Sequence, residues 1–286
     1  MSNILLTEHL ASLPDASIPL WIDGWNYGEK LLNKGKTAPW GDVGAFVSFH
    51  KQLQGLLGSD VLTIKVGAFY DFWLQQNPGL LQEMASKHRL GFALRTLLAN
   101  QSARQQLHEI VTAVCESNSG MPVLLEMSSP KSWMGDAHCK AQKKDSTEVS
   151  WDDAESASMY VADFIRFFSD CALSGILLHD SEGEGPASEA DTLRYQPVIN
   201  VAQHYNWQVV LNGCSNDFTA SSEQGVNICL GSQEGAQGQT LTPSYFSDRQ
   251  GAPAISAGQL IYVVVPSDAI PESVLACLAE LRKGRE

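Results

Sequence analysis

Short aliphatic runs recur along the chain, separated by longer stretches whose apolar positions fall three and four residues apart. Ile18–Trp25 (IPLWIDGW), Asp60–Gly67 (DVLTIKVG), Met121–Met127 (MPVLLEM), Ser174–Asp180 (SGILLHD), Trp207–Leu211 (WQVVL), Gly225–Leu230 (GVNICL) and Gln259–Pro266 (QLIYVVVP) read as strands. Helical spacing marks 40–57, 78–118, 151–171 and 193–205, and Asp152 and Asp153 suit a helix start, where the dipole favours anions. Strands apolar on both faces, alternating with helices, predict a parallel sheet, either closed or doubly wound. Residues 234–258 offer no credible strand or helix, so only seven strands are counted.

The strand ends carry the chemistry. The runs stop at Asp23, Lys65, Glu126, His179 with Asp180, Asn212 with Cys214, Ser232 with Gln233, and Ser267 with Asp268. In parallel α/β folds the loops that follow the strands converge at the carboxyl ends, where active sites lie. Side chains alternate along a strand, so Lys65 shares a face with Thr63, Asp23 with Trp21, Glu126 with Leu124, and Asn212 with Val210 and Cys214. In a barrel this polar set points inward and the aliphatic set lies under the helices.

Composition narrows the partners. The 286 residues include 32 acidic and 19 basic ones, a net charge of −13, which argues against nucleic acid or an anionic membrane as the main partner. At 44% apolar residues a core is affordable, and no apolar run is long enough to span a membrane. No leader pattern opens the chain, and Cys115, Cys139, Cys171, Cys214, Cys229 and Cys277 show no CxxC spacing. They read as free thiols in a reducing compartment, with the cytoplasm as the expected location. Neither GxGxxG nor GxxxxGK[ST] occurs, so no nucleotide is implied, and no other cofactor is.

In their order, IPLWIDGW, DVLTIKVGAFYDFWL, PVLLEMSSP, SGILLHDSEGEG, VVLNGCSND and IYVVVPSDAIP resemble the strand-end motifs of the uroporphyrinogen decarboxylase-like barrels, a superfamily that includes thiol- and corrinoid-linked methyltransferases. The resemblance spans roughly residues 18–280. It implies one α/β domain over residues 1–286, a TIM-type (β/α)8 barrel shortened or irregular around the seventh strand, with Asp180 turned into the pocket. IYVVVP matches the last strand, so the missing strand is the seventh, leaving room for a lid, an interface loop or a partner chain. Two departures limit what carries over. The decarboxylase has an Arg-rich clamp where this chain reads IDGWNYGEK, and no Arg precedes Arg89, which disfavours a porphyrinogen. The zinc ligands of the methyltransferases become Asn212, Cys214 and Asp268, a poor zinc set, so no metal is expected.

The residues then suggest roles. Lys65 on a buried strand must be paired, carry a lowered pKa, or bind an anion; pairing with Asp23 or Glu126 and binding a substrate carboxylate are both open, with a Schiff base less favoured. Asp23, His179 and Asp180 would move or stabilise protons, and Asn212 would orient substrate. Trp25, Tyr70, Glu126, Glu182, Cys214 and Asp268 complete the candidate pocket, Glu182 belonging to an acidic run with Asp180 and Glu184. His138-Cys139, in what reads as a polar loop, more simply belongs to the surface than to a metal site. The expectation is a lyase-type enzyme acting on a small carboxylate-bearing substrate, homo- or hetero-oligomeric. Methyl or alkyl transfer to a thiol or corrinoid, and a catalytically silent barrel serving as a subunit, are the alternatives.

Overall fold

The computed structural model describes residues 4–14, 18–180, 184–214, 218, 224–231, 237–248 and 259–283. The aliphatic runs form parallel strands: β1 (Leu20–Asp23), β2 (Leu62–Lys65), β3 (Val123–Ser128), β4 (Gly175–His179), β5 (Gln208–Asn212), β6 (Ile228–Gly231), β7 (Gly238–Leu241) and β8 (Leu260–Val264). From β2 to β8 each strand pairs in parallel with the next, and β8 returns to pair with β1, giving the order β1-β8-β7-β6-β5-β4-β3-β2. Among the described residues helices cross over between most of them, so the fold is a nearly closed α/β barrel of the (β/α)8 type.

The helices are α1 (Leu6–Ser12), α2 (Trp25–Leu31), α3 (Val43–Leu57), α4 (Val66–Gln76), α5 (Pro78–Ala85), α6 (Phe92–Leu98) and α7 (Gln101–Ser117), followed by α8 (Pro130–Gln142), α9 (Trp151–Arg166), α10 (Glu189–Leu193), α11 (Gln196–His204), α12 (Tyr245–Asp248) and α13 (Pro271–Lys283). Several boundaries follow local chemistry. Ser150 and Asp153 form a capping box at the start of α9, and Gly58 in the left-handed region ends α3. The expected helix over 78–118 is instead three helices, with Pro78 opening α5 and the Asn100 side chain capping α7. The one expected over 193–205 divides at Arg194 and Tyr195. His138 and Cys139 lie inside α8, not in a loop, and His138 is buried.

The seventh strand, expected to be missing, is present as β7. Its four residues (GQTL) carry one large apolar side chain, too little pattern to read. Gly238 explains the poverty: a Cβ there would lie 2.4 Å from Leu230 Cδ2, so the inward position has no room for a side chain. The helix that follows, α12, has only four residues, so the irregularity around this unit is real.

Two hydrophobic layers enclose the sheet. Outward residues such as Ile64, Leu125, Ile176 and Val209 join the helices in the larger core. Inward residues Trp21, Leu124, Leu177, Val210, Leu230 and Tyr262 fill the barrel, and Leu6 of α1 plugs the end opposite the strand carboxyl termini. That plug is fixed by the Thr7 amide donating to Gln208 Oε1 (2.8 Å) and by Gln208 Nε2 donating to Thr7 Oγ1 (2.8 Å).

Between β1 and β2 no strand ladder forms among the described residues. The loop before β2 takes its place. Leu20 N donates to Asp60 Oδ2 (2.8 Å), Ile22 N to Ser59 Oγ (2.9 Å), and Asp60 N to the Leu20 carbonyl (2.8 Å). Side chains thus satisfy main-chain groups that a ladder would otherwise pair.

Candidate active site

The expected alternation holds, and it brings four strand ends together. Lys65 ends β2, with its ammonium 2.7 Å from Asp23 Oδ2 of β1 and 2.6 Å from Glu126 Oε1 of β3. His179 ends β4 with Nε2 3.3 Å from the same Glu126 oxygen. Asn212 ends β5, and its Nδ2 lies 3.0 Å from His179 Nδ1. An amide nitrogen can only donate, so this contact leaves the ring proton on Nε2, facing Glu126.

The electrostatics follow from burial and pairing. Burial alone would lower the pKa of Lys65, but Glu126 and Asp23 more than offset it and hold the ammonium well above its ordinary range. Burial alone would likewise raise Glu126; the charge of Lys65 first, and the adjacent His179 ring after it, pull it down to about 2 instead. Tyr262 of β8 completes the ring. Burial, followed by the charges of Glu126 and Asp23, pushes its phenol up. Its place was readable from alternation, since Tyr262 lies two residues from Leu260 and Val264 on the inward face of β8, but the polar strand-end signal does not reach it.

Two polar atoms on this floor are buried without a hydrogen-bond partner among the described residues, Glu126 Oε2 and His179 Nε2. The 3.3 Å approach of Nε2 to Glu126 Oε1 is a close polar contact, poorly aligned for a hydrogen bond.

Asp180 does not turn into the barrel; the inward place belongs to His179. The expectation fails because Asp180 N continues the ladder to the Asn212 carbonyl (2.9 Å), which keeps the alternation going and points the Asp180 side chain outward. There it meets hydroxyls. Ser129 Oγ donates to Oδ1, Ser132 Oγ donates to Oδ1 (2.9 Å), and Tyr195 OH lies 3.4 Å from Oδ2. Burial raises its pKa, and these neutral donors only partly oppose the shift. Ser129 also caps α8 by accepting from Ser132 N (3.2 Å). The Ser-Pro pair after β3 was the available signal for this cage; Tyr195, far along the chain, had none.

The remaining candidates separate. Trp25 is buried and stacked on Trp40 at 5.2 Å; it serves the site only through its main-chain N–H, which donates to Asp23 Oδ1 (3.1 Å). Cys214 Sγ lies 3.5 Å from Cys229 Sγ, and that contact, with burial, pushes its thiol up. Asp268 is exposed beyond β8. Asn212 Nδ2 is taken up by His179; among the described residues the one group of three or more His, Cys, Asp or Glu side chains at metal-ligating separation is His108, Asp170 and Cys171. Tyr70 lies in α4 against Trp133 and Phe164, with a buried hydroxyl that has no partner. Glu182 falls outside the described residues. Lining the mouth beyond His179 is a cleft of about 800 Å³ bordered by Lys131, Asp136, Glu148, Asp180 and Glu184.

Fold and site together define a (β/α)8 barrel with a compact ionisable cluster at the carboxyl ends of its strands. No protein-family model and no curated protein matches the chain. Among solved structures it is similar to the "putative lyase/mutase" from Burkholderia cenocepacia J2315, at 12% identity and a TM-score of 0.33, over 84% of this chain and 88% of that one. Among the described residues no helix is long and apolar enough to cross a membrane.

Proposed function

We propose that the chain is an enzyme of small-molecule metabolism, lyase-type, acting by electrostatic and acid/base catalysis at Asp23, Lys65, Glu126, His179 and Asn212. The observation that carries this reading is the pair of buried, unpartnered atoms, Glu126 Oε2 and His179 Nε2, beside a fixed ammonium. Buried polar atoms are costly unless satisfied, and these two face each other's neighbourhood at the active end of a barrel. A substrate that sets a donor against Oε2 and an oxygen against Nε2–H has that oxygen polarised by the imidazole and by Lys65. As a neighbouring bond breaks, the electron pair left on the substrate delocalises toward that oxygen, and both groups stabilise the charge. Asn212 holds the imidazole in the donating tautomer.

Lys65 is a tuning charge in this scheme rather than a nucleophile or a receptor. Held between two carboxylates, its ammonium has no lone pair for a Schiff base and little unbalanced charge for a substrate carboxylate. The carboxylate-bearing substrate suggested by the lysine alone is therefore replaced by one that is neutral or cationic. The kinship suggested by the strand-end motifs is compatible with this chemistry but does not support it independently.

The test is substrate depletion from a polar metabolite mixture, followed by mass spectrometry. Glu126→Gln and His179→Gln are each expected to slow depletion by about a hundredfold. Full activity in either variant would sink the assignment.

A further inference from the structure

A second cavity opens beside the same mouth. It occupies about 360 Å³ between α4 and α8 and reaches Gly67, two residues past Lys65, and Ser128, two past Glu126. Leu74, Met84, Leu97, Trp133 and Ala137 wall it, all buried. Tyr70, 2% exposed, forms part of the same wall, and its hydroxyl has no hydrogen-bond partner among the described residues.

The lip supplies the charge. Asp71 is paired with Lys140, which neutralises that side. Asp136, which borders both this pocket and the acidic cleft, receives a hydrogen bond from Ser128 Oγ (3.4 Å) and has no ion-pair partner among the described residues. An apolar pocket with an unpaired carboxylate at its mouth, next to a catalytic floor that already contains its own cation, selects a cationic amphiphile.

We propose that this pocket is the specificity site of the enzyme and that it takes the apolar end of a primary amine, an aromatic or branched aliphatic group, with the ammonium on Asp136. The inference rests on the proposed function only for calling the ligand a substrate. The pocket's binding chemistry stands on its own walls. Gly67 is the point of entry: a Cβ built there meets nothing within 4 Å, and its helical backbone accepts any side chain.

Calorimetric titration with phenethylamine, and with 3-phenylpropionate as the matched anion, tests it. The amine is expected to bind and the anion not to. Gly67→Leu, which places a side chain in the entrance, is expected to weaken amine binding at least about tenfold, and Gly67→Ala much less. Asp136→Asn, at an exposed position that leaves the core intact, supplies a second arm with a similar loss. The proposal is overturned if the amine does not bind, if the anion binds equally well, or if neither Gly67→Leu nor Asp136→Asn changes the affinity. Because the readout is binding, amine affinity that persists in a chain without Glu126-dependent turnover would reject the proposed reaction and leave the pocket assignment standing.

Discussion

Glu126 and Asp180 are both largely buried carboxylates at adjacent strand ends, yet their pKa values move in opposite directions. Glu126 faces an ammonium, and the ion pair overcomes the penalty of burial. Asp180 faces three hydroxyls, and Lys131 lowers its pKa without forming an ion pair with it among the described residues, so burial wins. Hydrogen-bond satisfaction and charge balance are thus separate requirements, and this barrel meets them with different residues a few ångströms apart along the sheet. The consequence is a division of labour: the inner carboxylate stays ionised, while the outer one keeps its proton to higher pH than an ordinary aspartate.

The largest test of that contrast removes the ammonium. Lys65→Met leaves Asp23 and Glu126 buried against each other, and a loss of about 3–5 kcal/mol is expected in urea unfolding at pH 7. An unchanged midpoint would mean that the carboxylates find other partners and that the contrast is false.

The acid limb comes next. The pKa of Glu126 falls from 4.5 to about 2 on folding, so its stabilisation is complete above pH 4.5 and is lost as the pH drops through 2. That amounts to something on the order of 3 kcal/mol, which should be missing from the pH dependence of Glu126→Gln. Lys65 has the opposite sign: its contribution is complete below 10.5 and fades only in strong alkali.

Smaller effects belong to the hydroxyl cage. Tyr195→Phe deletes one donor and is expected to cost about 1 kcal/mol, with the Asp180 carboxyl moving further up by NMR titration. The smallest change is Asp180→Asn. Since the folded pKa of Asp180 is raised from 3.8, its stabilising form is the neutral one, present below pH 3.8 and lost as pH rises. The amide should therefore cost less than about 1 kcal/mol at pH 7, and it becomes relatively worse as the pH falls. A large loss at neutral pH would show that Asp180 acts as an ion after all.

Much of this was legible before any coordinates. Alternation along short strands is a strict geometric rule, so the inward set of Asp23, Lys65, Glu126 and Asn212 could be read from parity alone. The same rule, applied one residue further, would have placed Asp180 outward; the resemblance pointed the other way, and the backbone pairing of Asp180 decided the matter. β7 was hidden because its inward glycine exists to make room for Leu230, a constraint that lies in another strand and leaves no pattern of its own. Tyr195 was hidden for a related reason. It joins its carboxylate through tertiary contact, and sequence spacing carries no record of that.

The gap between β1 and β2 gives the charged cluster a mechanical meaning. Seven of the eight junctions around the ring are sewn by main-chain pairing. At the eighth, Ser59 and Asp60 hold one end, and the Lys65–Asp23 ion pair fastens the other. The Lys65 ammonium is therefore also the clasp of the ring. Acid that protonates the carboxylates should loosen the barrel first along this line, with amide exchange in β1 outrunning that in β3 and β4.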